Sequence, residues 1–204
     1  MELLISMGNT NKLPKKHREK IILSIIRNPF SRIVSSYFFK WWQNNLPTDK
    51  KSILKFYPNF PDLSFDEYYK YYTQFYSINH LHGIIPKIEI GTLSLFFIQF
   101  FAKNPDILLS EIDEDYFDNS LQIKDFNHIN FIHQENLRLE LKEFLIANGI
   151  KDKDIQLIDK KEDVNKSQYP SNINHFMDMY TDIMTGTVLK NERLLFKLFP
   201  EYLP

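Results

Sequence analysis

Cysteine is absent from the 204-residue chain, and its absence excludes several kinds of site at once. A disulfide framework, a thiolate metal centre and a cysteine nucleophile all need a thiol. Glycine is also scarce, with five residues in the whole sequence. Because a phosphate-binding loop relies on glycine for the close approach of backbone to ligand, the chain has few stretches that could form one.

The chain also carries little net charge and no long hydrophobic run. Its formal net charge is −1 at pH 7, which argues against nucleic acid or an anionic membrane surface as a partner. The longest apolar stretch, residues 93–102, contains Ser94 and Gln99 and falls far short of the ~20 residues that span a membrane. Glu2 and the lack of a basic segment distinguish the start of the chain from a signal peptide. The sequence therefore predicts a soluble, cytoplasmic protein with no membrane span.

A short strand followed by a helix is the most informative pattern in the chain. Residues 20–26 are nearly all aliphatic, which is typical of a strand buried on both faces of a parallel sheet. Asn28 is a good N-cap and Pro29 suits the first helical position, so a helix is expected from Pro29 to about Gln43. Arg27 is then expected at the carboxyl end of the strand, where open α/β sheets bind anionic ligands.

Ser35 supplies a second polar group on this helix. At about 100° per residue, Ser31, Arg32 and Ser35 return to one face of the helix. Arg27 can donate two N–H bonds to a phosphate, and the hydroxyl of Ser35 can reach the same group. A second interpretation is a capped strand-to-helix turn in which Arg27 forms a surface ion pair. Spacing alone does not separate the two interpretations.

The order of these residues resembles the 3′-phosphate-binding motif of sulfotransferases. An apolar strand leads into Arg-Asn-Pro at positions 27–29, a second Arg stands at position 32, and Ser35 and a Tyr come next. Sulfotransferases use 3′-phosphoadenosine 5′-phosphosulfate (PAPS) as their sulfate donor. By position, the resemblance implies that Arg27 and Ser35 hold the 3′-phosphate of this nucleotide.

Two later segments follow the same family order. Ser64 and Glu67 have the spacing of a capping box and predict the start of a second helix. A strand is expected at residues 129–132, and it runs into a helix that should end at Asn148 and Gly149, a good pair of residues for a helix C-terminus. The family has a core strand, a Glu-Asn-Leu sequence and a helix in the same arrangement.

The resemblance extends towards the end of the chain. Asn165 and Ser167 form an Asn-x-Ser segment similar to one found late in carbohydrate-type sulfotransferases. This likeness implies that both residues lie near the nucleotide. Residues 191–202 are similar to the terminal helix of the same proteins, so the resemblance covers roughly residues 18–204.

The resemblance implies an α/β fold of the P-loop-NTPase-like sulfotransferase type. We expect a helix-rich single domain over residues 1–204, with a small parallel sheet flanked by helices and a poorly patterned lead-in at residues 1–17. The family's 5′-phosphosulfate loop has a Lys followed by Gly and hydroxyl residues. Gly8 is preceded by Met7 and by no buried strand, so the domain is expected to be N-terminally truncated and to lack this loop.

The function implied by the resemblance is transfer of sulfuryl from PAPS to a hydroxyl acceptor, with a carbohydrate favoured. The catalytic base is not assigned; His17 is one candidate, and a surface histidine in a basic run is the alternative. Two further interpretations stay open. The chain can be a catalytically inactive family member that binds 3′-phosphoadenosine 5′-phosphate or keeps only the fold. It can also be an α-rich interaction module that packs Trp41 and Trp42 against a partner, so enzymatic activity is left undecided.

No metal cofactor is expected. His80 and His82 have the spacing of two ligands on a strand, but no third ligand is evident, and loop histidines that bond the backbone are favoured. Five acidic residues lie within residues 111–118, without the spacing and central Gly of an EF-hand loop. A solvated acidic loop is the favoured interpretation of this run.

Overall fold

A computed structural model of the chain describes residues 3–5, 21–77, 81, 83–120, 123–160, 173 and 175–204. These residues belong to two compact units. Unit 1 comprises Met1–Arg27 and Asn127–Lys166, and unit 2 comprises Asn28–Phe126 and Ser167–Pro204. The prediction of one domain over residues 1–204 stays a prediction.

Unit 1 contains a small parallel sheet of three strands in the order β1-β2-β3. The strands are β1 (Leu3–Ile5), β2 (Ile21–Ile26) and β3 (Asn130–His133). Central strand β2 is buried at successive positions, with Leu23 1% exposed and Ser24 5% exposed. Consecutive buried residues mean that both faces of β2 are covered, as expected for a strand of a parallel sheet. The predicted strand and the predicted small parallel sheet are confirmed.

A helix follows β3 and ends as the sequence predicts. A 3₁₀ turn at Gln134–Asn136 leads into α6 (Leu137–Ala147), and the short helices α7 (Asp152–Ile155) and α8 (Leu157–Lys160) come after it. Gly149 has a φ of 77°, in the left-handed region. The N–H of Ile150 donates to the carbonyl of Leu145 at 3.0 Å, which is the long bond of a Schellman motif.

Unit 2 is built from helices. In chain order these are α1 (Pro29–Phe39), α2 (Lys50–Phe56), α3 (Phe65–Tyr76), α4 (Thr92–Phe101), α5 (Pro105–Glu111), α9 (Asp182–Asn191) and α10 (Arg193–Leu198). Together with the sheet of unit 1 they make the chain a helix-rich α/β protein, as predicted. Within the part of the chain that the structure describes, no helix has the length and apolar character needed to cross a bilayer.

Aromatic side chains form much of the core of unit 2. The predicted capping box opens α3: the N–H of Glu67 donates to Ser64 Oγ at 3.3 Å, and the N–H of Ser64 donates to Glu67 Oε2 at 2.8 Å. This helix buries Tyr68 and Tyr71, which are 1% and 0% exposed. The ring centroid of Trp42 lies 5.0 Å from that of Tyr68 and 5.7 Å from that of Tyr71.

Helix α1 ends four residues earlier than its sequence predicts. Lys40 has a φ of 55°, so the backbone leaves the right-handed helical region there, and a 3₁₀ turn spans Trp41–Gln43. The change of direction sends Trp42 into the core, where it is 3% exposed, and leaves Trp41 54% exposed. Tertiary packing of one indole ring therefore overrides the local preference for a longer helix.

Candidate functional site

The turn that leads into α1 has the geometry that its sequence predicts. Asn28 is the N-cap, and its Oδ1 accepts hydrogen bonds from the N–H of Phe30 at 2.9 Å and the N–H of Ser31 at 3.5 Å. The carbonyl of Asn28 accepts the first helical bond, from the N–H of Arg32 at 2.9 Å. Pro29 occupies the first helical position. The strand, the cap and the helix start are therefore confirmed in chain order.

Aromatic residues near the C-terminus hold this turn from the other side. The hydroxyl of Tyr180 donates to the carbonyl of Phe30 at 2.9 Å, across 150 residues of sequence. The two rings meet edge to face, with centroids 5.1 Å apart. Phe196 lies against the same Phe30 ring at 5.6 Å, and Asn28 Nδ2 donates to the carbonyl of Tyr202 at 3.4 Å. Sequence reasoning missed the role of Tyr180, because no local pattern reveals a partner so distant in the chain.

The start of α1 has an electrostatic character that suits an anion. Its first turn contains no acidic residue, so no local carboxylate neutralises the positive end of the helix dipole. Arg32 in the same turn is exposed. The N–H groups of Phe30 and Ser31 are already bonded to Asn28 Oδ1, so an anion here depends on side-chain donors more than on these two backbone groups.

The predicted phosphate ligands lie in different units. Arg27 is the last residue of unit 1, directly after β2, and it is half-buried. Ser35 lies on α1 in unit 2 and is also half-buried. Ser31, on the same predicted face, is buried, and its hydroxyl donates to the carbonyl of Asn28 at 3.2 Å. It therefore serves the helix start, and the joint phosphate contact of Arg27 and Ser35 stays a prediction.

Several predicted residues fall outside the described part of the chain. Asn165 and Ser167, assigned to the nucleotide by resemblance, lie there, and so do His17 and Gly8. The histidine pair His80 and His82 lies there too. These assignments stay predictions.

A histidine–carboxylate pair lies at the carboxyl edge of the sheet in unit 1. His133 is the last residue of β3 and pairs in register with Ile26, so Arg27 follows at the same edge. The backbone N–H of His133 donates to Glu140 Oε2 at 2.6 Å, and His133 Nδ1 lies 3.0 Å from the same oxygen. Burial acts to raise the pKa of Glu140, but the hydrogen bonds from His133 outweigh it and lower that pKa. The carboxylate favours the tautomer with the proton on Nδ1.

Sequence reasoning missed this pair. The available signal was a histidine at the predicted end of a strand, followed seven residues later by an acidic residue on the next helix. Neither residue belongs to the motif that resembles sulfotransferases. The pair orients one polar side chain beside the strand that carries Arg27, and it fixes the start of α6 relative to β3.

Two carboxylates of the acidic run at residues 111–118 form ion pairs with basic side chains. Asp113 accepts a bond from the N–H of Tyr116 at 2.9 Å and pairs with Lys87 at 3.2 Å. Glu114 forms a two-point contact with the guanidinium of Arg193. Hydrogen bonding lowers the pKa of both carboxyls. Among the described residues, no group of three or more His, Asp or Glu side chains is placed to hold a metal ion.

Comparison of the chain with family models, with curated proteins and with solved structures finds no match. A function is therefore inferred from the residues themselves and from the geometry of the turn into α1. The sulfotransferase resemblance of the sequence stays a prediction at this stage.

Proposed function

We propose that the chain is a sulfotransferase-like protein of the P-loop-NTPase-like fold, which binds PAPS and transfers its sulfuryl group to a hydroxyl acceptor, with a carbohydrate favoured. One observation carries the proposal. The buried parallel strand β2 leads through Arg27 into a helix that Asn28 caps and Pro29 begins, with Ser35 further along it. Open α/β sheets bind anionic ligands where a strand of this kind ends and a helix begins.

The residues around this turn have suitable chemistry for a nucleotide phosphate. Arg27 presents a planar guanidinium that can donate two parallel bonds to phosphate oxygens. The Ser35 hydroxyl can donate a third bond. Arg32 adds positive charge, and the first turn of α1 contains no acidic residue that would repel the ligand. Asn165 and Ser167 complete the proposed site by resemblance. A cytoplasmic location belongs to the same proposal.

The chemistry supplied by PAPS is an activated sulfuryl group, whose bond to the 5′-phosphate breaks as a bond to the acceptor oxygen forms. The chain's task is to hold the nucleotide by its 3′-phosphate and to bring the acceptor hydroxyl into line. The acceptor proton must pass to a base, and this base is not assigned. A catalytically inactive member that keeps the nucleotide site would bind through the same Arg27 and would differ only in turnover.

The alternative of an interaction module is weakened by the position of Trp42. That module was expected to pack Trp41 and Trp42 together against a partner. Trp42 is 3% exposed and donates its indole N–H to the carbonyl of Tyr37 at 3.3 Å, so it belongs to the core of unit 2. A surface made of both tryptophans is therefore absent from the described residues.

Thermal unfolding with adenosine 3′,5′-bisphosphate tests the nucleotide site. At about a hundred times its dissociation constant the ligand should add ~2.7 kcal/mol, which raises the Tm by a few degrees. Arg27→Ala should abolish the shift in Tm. Arg27→Lys should keep part of it, because the lysine keeps the positive charge but cannot donate two parallel hydrogen bonds to the phosphate. Lys51→Ala removes one exposed positive charge from α2 and serves as the matched control, with the shift unchanged.

Two results would count against the proposal. A folded parent protein whose Tm does not respond to the bisphosphate lacks a working nucleotide site. An equal shift in the parent and in Arg27→Ala would mean that the ligand binds elsewhere. Turnover of PAPS with a panel of hydroxyl acceptors then separates an active enzyme from an inactive nucleotide-binding relative.

A further inference from the structure

The histidine–carboxylate pair at the carboxyl edge of the sheet has more contacts than a structural link between strand and helix needs. The backbone N–H of His133 donates to Glu140 Oε2 at 2.6 Å, and this bond alone joins the end of β3 to α6. Any residue except proline supplies such an N–H. The imidazole adds a second contact, with Nδ1 3.0 Å from Oε2 and 3.1 Å from Oε1 of the same carboxylate. The link between strand and helix therefore does not account for the imidazole.

The second contact sets the chemistry of the imidazole ring. Although burial acts to raise the pKa of Glu140, the hydrogen bonds from His133 lower it, so this carboxyl is ionised at neutral pH. An ionised carboxylate only accepts hydrogen bonds, so Nδ1 of His133 carries the proton and the lone pair of the ring lies on Nε2. The same carboxylate stabilises the imidazolium that forms when Nε2 takes a proton. A histidine acts as a general base in this arrangement.

The pair lies at the edge where open α/β sheets bind their ligands, outside the carboxyl ends of the strands. The side chains of His133 and Glu140 are 29% and 22% exposed, so a ligand can approach them. His133 pairs in register with Ile26 on the neighbouring strand, about 4.8 Å away, and Arg27 is the next residue. All four residues belong to unit 1. The imidazole and the proposed phosphate ligand Arg27 therefore come from neighbouring positions at one edge of the sheet.

We propose that His133 Nε2 is the general base of sulfuryl transfer and that Glu140 is its positioning residue. The inference rests on the proposed function and assigns the base that this function leaves open. As the acceptor oxygen forms its bond to sulfur, the proton of the acceptor hydroxyl passes to Nε2. The bond between sulfur and the 5′-phosphate oxygen breaks, and its electron pair stays on that oxygen. The imidazolium, stabilised by Glu140, then gives its proton to water.

Two kinds of acceptor separate a general base from a structural histidine. The saccharide probes are hexasaccharides of glucose, of mannose and of alternating uronate and N-acetylhexosamine, whose hydroxyls must lose a proton as they react. The other probe is p-nitrophenol, which is largely ionised in mildly alkaline buffer and needs no base. His133→Asn keeps an N–H donor near the position of Nδ1 but has no group that can take the proton. With PAPS as donor, it should lower kcat by about 100-fold or more for the saccharides and by less than about threefold for p-nitrophenol.

Matched variants control for the loss of each side chain. His128→Asn removes an exposed histidine just before β3 and should leave turnover unchanged. Glu140→Gln keeps an oxygen for the N–H of His133 but removes the negative charge that stabilises the imidazolium. It should lower kcat for the saccharides by about tenfold and leave KM unchanged, a split that a purely structural role would not produce. Glu143→Gln, at an exposed position of the same helix, should leave both parameters unchanged.

Binding of adenosine 3′,5′-bisphosphate separates failure of the base from failure of the nucleotide site. The Tm shift with the bisphosphate should be equal in the parent, His133→Asn and Glu140→Gln. His133 is not the base if His133→Asn sulfates the saccharides as fast as the parent, if both kinds of acceptor lose turnover equally, or if His17→Asn alone abolishes turnover. A parent protein that binds the bisphosphate but sulfates no saccharide also overturns the assignment and leaves the nucleotide site standing. No Tm shift in the parent contradicts the proposed function, and the assignment of the base fails with it.

Discussion

Glu192 and Ser94 form a buried contact that joins the junction of α9 and α10 to the start of α4. Glu192 Oε2 accepts bonds from the backbone N–H and the hydroxyl of Ser94, both at 2.7 Å, and Oε1 accepts one from the N–H of Leu93 at 3.1 Å. The carboxyl is 2% exposed. Gly91, the N-cap of α4, has no side chain to bond these groups, so Glu192 caps the helix from a distant segment. A Cβ at Gly91 would lie 2.3 Å from Glu192 Cδ, so glycine makes room for the contact.

Removing the Glu192 carboxyl should destabilise unit 2. Glu192→Ala leaves two helical N–H groups and a buried hydroxyl without their acceptor, and we expect a loss of about 2–3 kcal/mol. Urea denaturation with a constant m-value measures this loss. Lys70→Ala is the control, because it removes an exposed ion pair with Asp66 on α3 and should cost no more than about 1 kcal/mol. Equal costs for the two variants would refute the capping role of Glu192.

The buried Glu192 should also give the protein a specific pH dependence. Burial raises the pKa of its carboxyl above the usual value of 4.5, although the bonds from Ser94 and Leu93 oppose the shift. The folded state therefore holds this proton at a pH where the unfolded chain has released it. The contribution to stability is full below pH 4.5 and is lost as pH rises through the folded pKa.

The difference in unfolding free energy between the parent and Glu192→Gln isolates this contribution. Several other carboxyls, including Asp113 and Glu114, have lowered pKa values and act in the opposite direction at acid pH. Their effect cancels in the difference, because both proteins contain them. The parent should gain stability relative to Glu192→Gln as the pH falls from neutral towards 4.5. A difference that is flat over this range would show that the folded state does not retain the proton.

Relief of the strained residue at the end of α1 should stabilise the fold. Lys40→Gly removes the Cβ that the positive φ disfavours, and part of the gain is offset by the greater freedom of glycine in the unfolded chain. We expect a net gain of about 0.5–1 kcal/mol in chemical denaturation. The same change at Lys70, an exposed residue in the middle of α3, should instead cost about 1 kcal/mol. A loss of stability in Lys40→Gly would mean that the lysine side chain has a structural role at this turn.

The Asn28 cap should have a measurable effect on stability. Asn28→Ala removes the acceptor of the Phe30 and Ser31 N–H groups and should cost about 1 kcal/mol. Asn28→Ser keeps a capping oxygen and should cost only about 0.3 kcal/mol. Both variants lose the hydrogen bond from Asn28 Nδ2 to the carbonyl of Tyr202, but only Asn28→Ala loses the capping oxygen. The difference in their unfolding free energies, measured by heat or urea, therefore isolates the cap.

Sequence patterns predict the elements whose stabilising contacts lie between residues close together in the chain. The aliphatic run of β2, the Asn28 cap, the Ser64 capping box and the Gly149 terminus each depend on residues within one turn or one strand. All four predictions agree with the structure. They also place Arg27 between a buried strand and a capped helix, which is the part of the candidate site that sequence can reach.

Contacts between distant segments could not be predicted in this way. Tyr180 bonds Phe30 across 150 residues, and Glu192 caps α4 across 98 residues. The early end of α1 could not be predicted for the same reason, because α1 ends where Trp42 turns to pack against α3, a segment distant in the sequence. Spacing alone allows Arg27 either a phosphate shared with Ser35 or a surface ion pair, and the resemblance to a motif implies the 3′-phosphate of a nucleotide; both roles stay predictions.

Two nucleotides that differ by one phosphate test the Arg27 site most directly. Calorimetric titration of the parent with adenosine 3′,5′-bisphosphate and with adenosine 5′-monophosphate measures what the 3′-phosphate contributes. A site built on Arg27 predicts binding at least about tenfold tighter for the bisphosphate, with the difference abolished in Arg27→Ala. Equal affinity for the two nucleotides, or a preference that survives in Arg27→Ala, would show that Arg27 does not bind the 3′-phosphate.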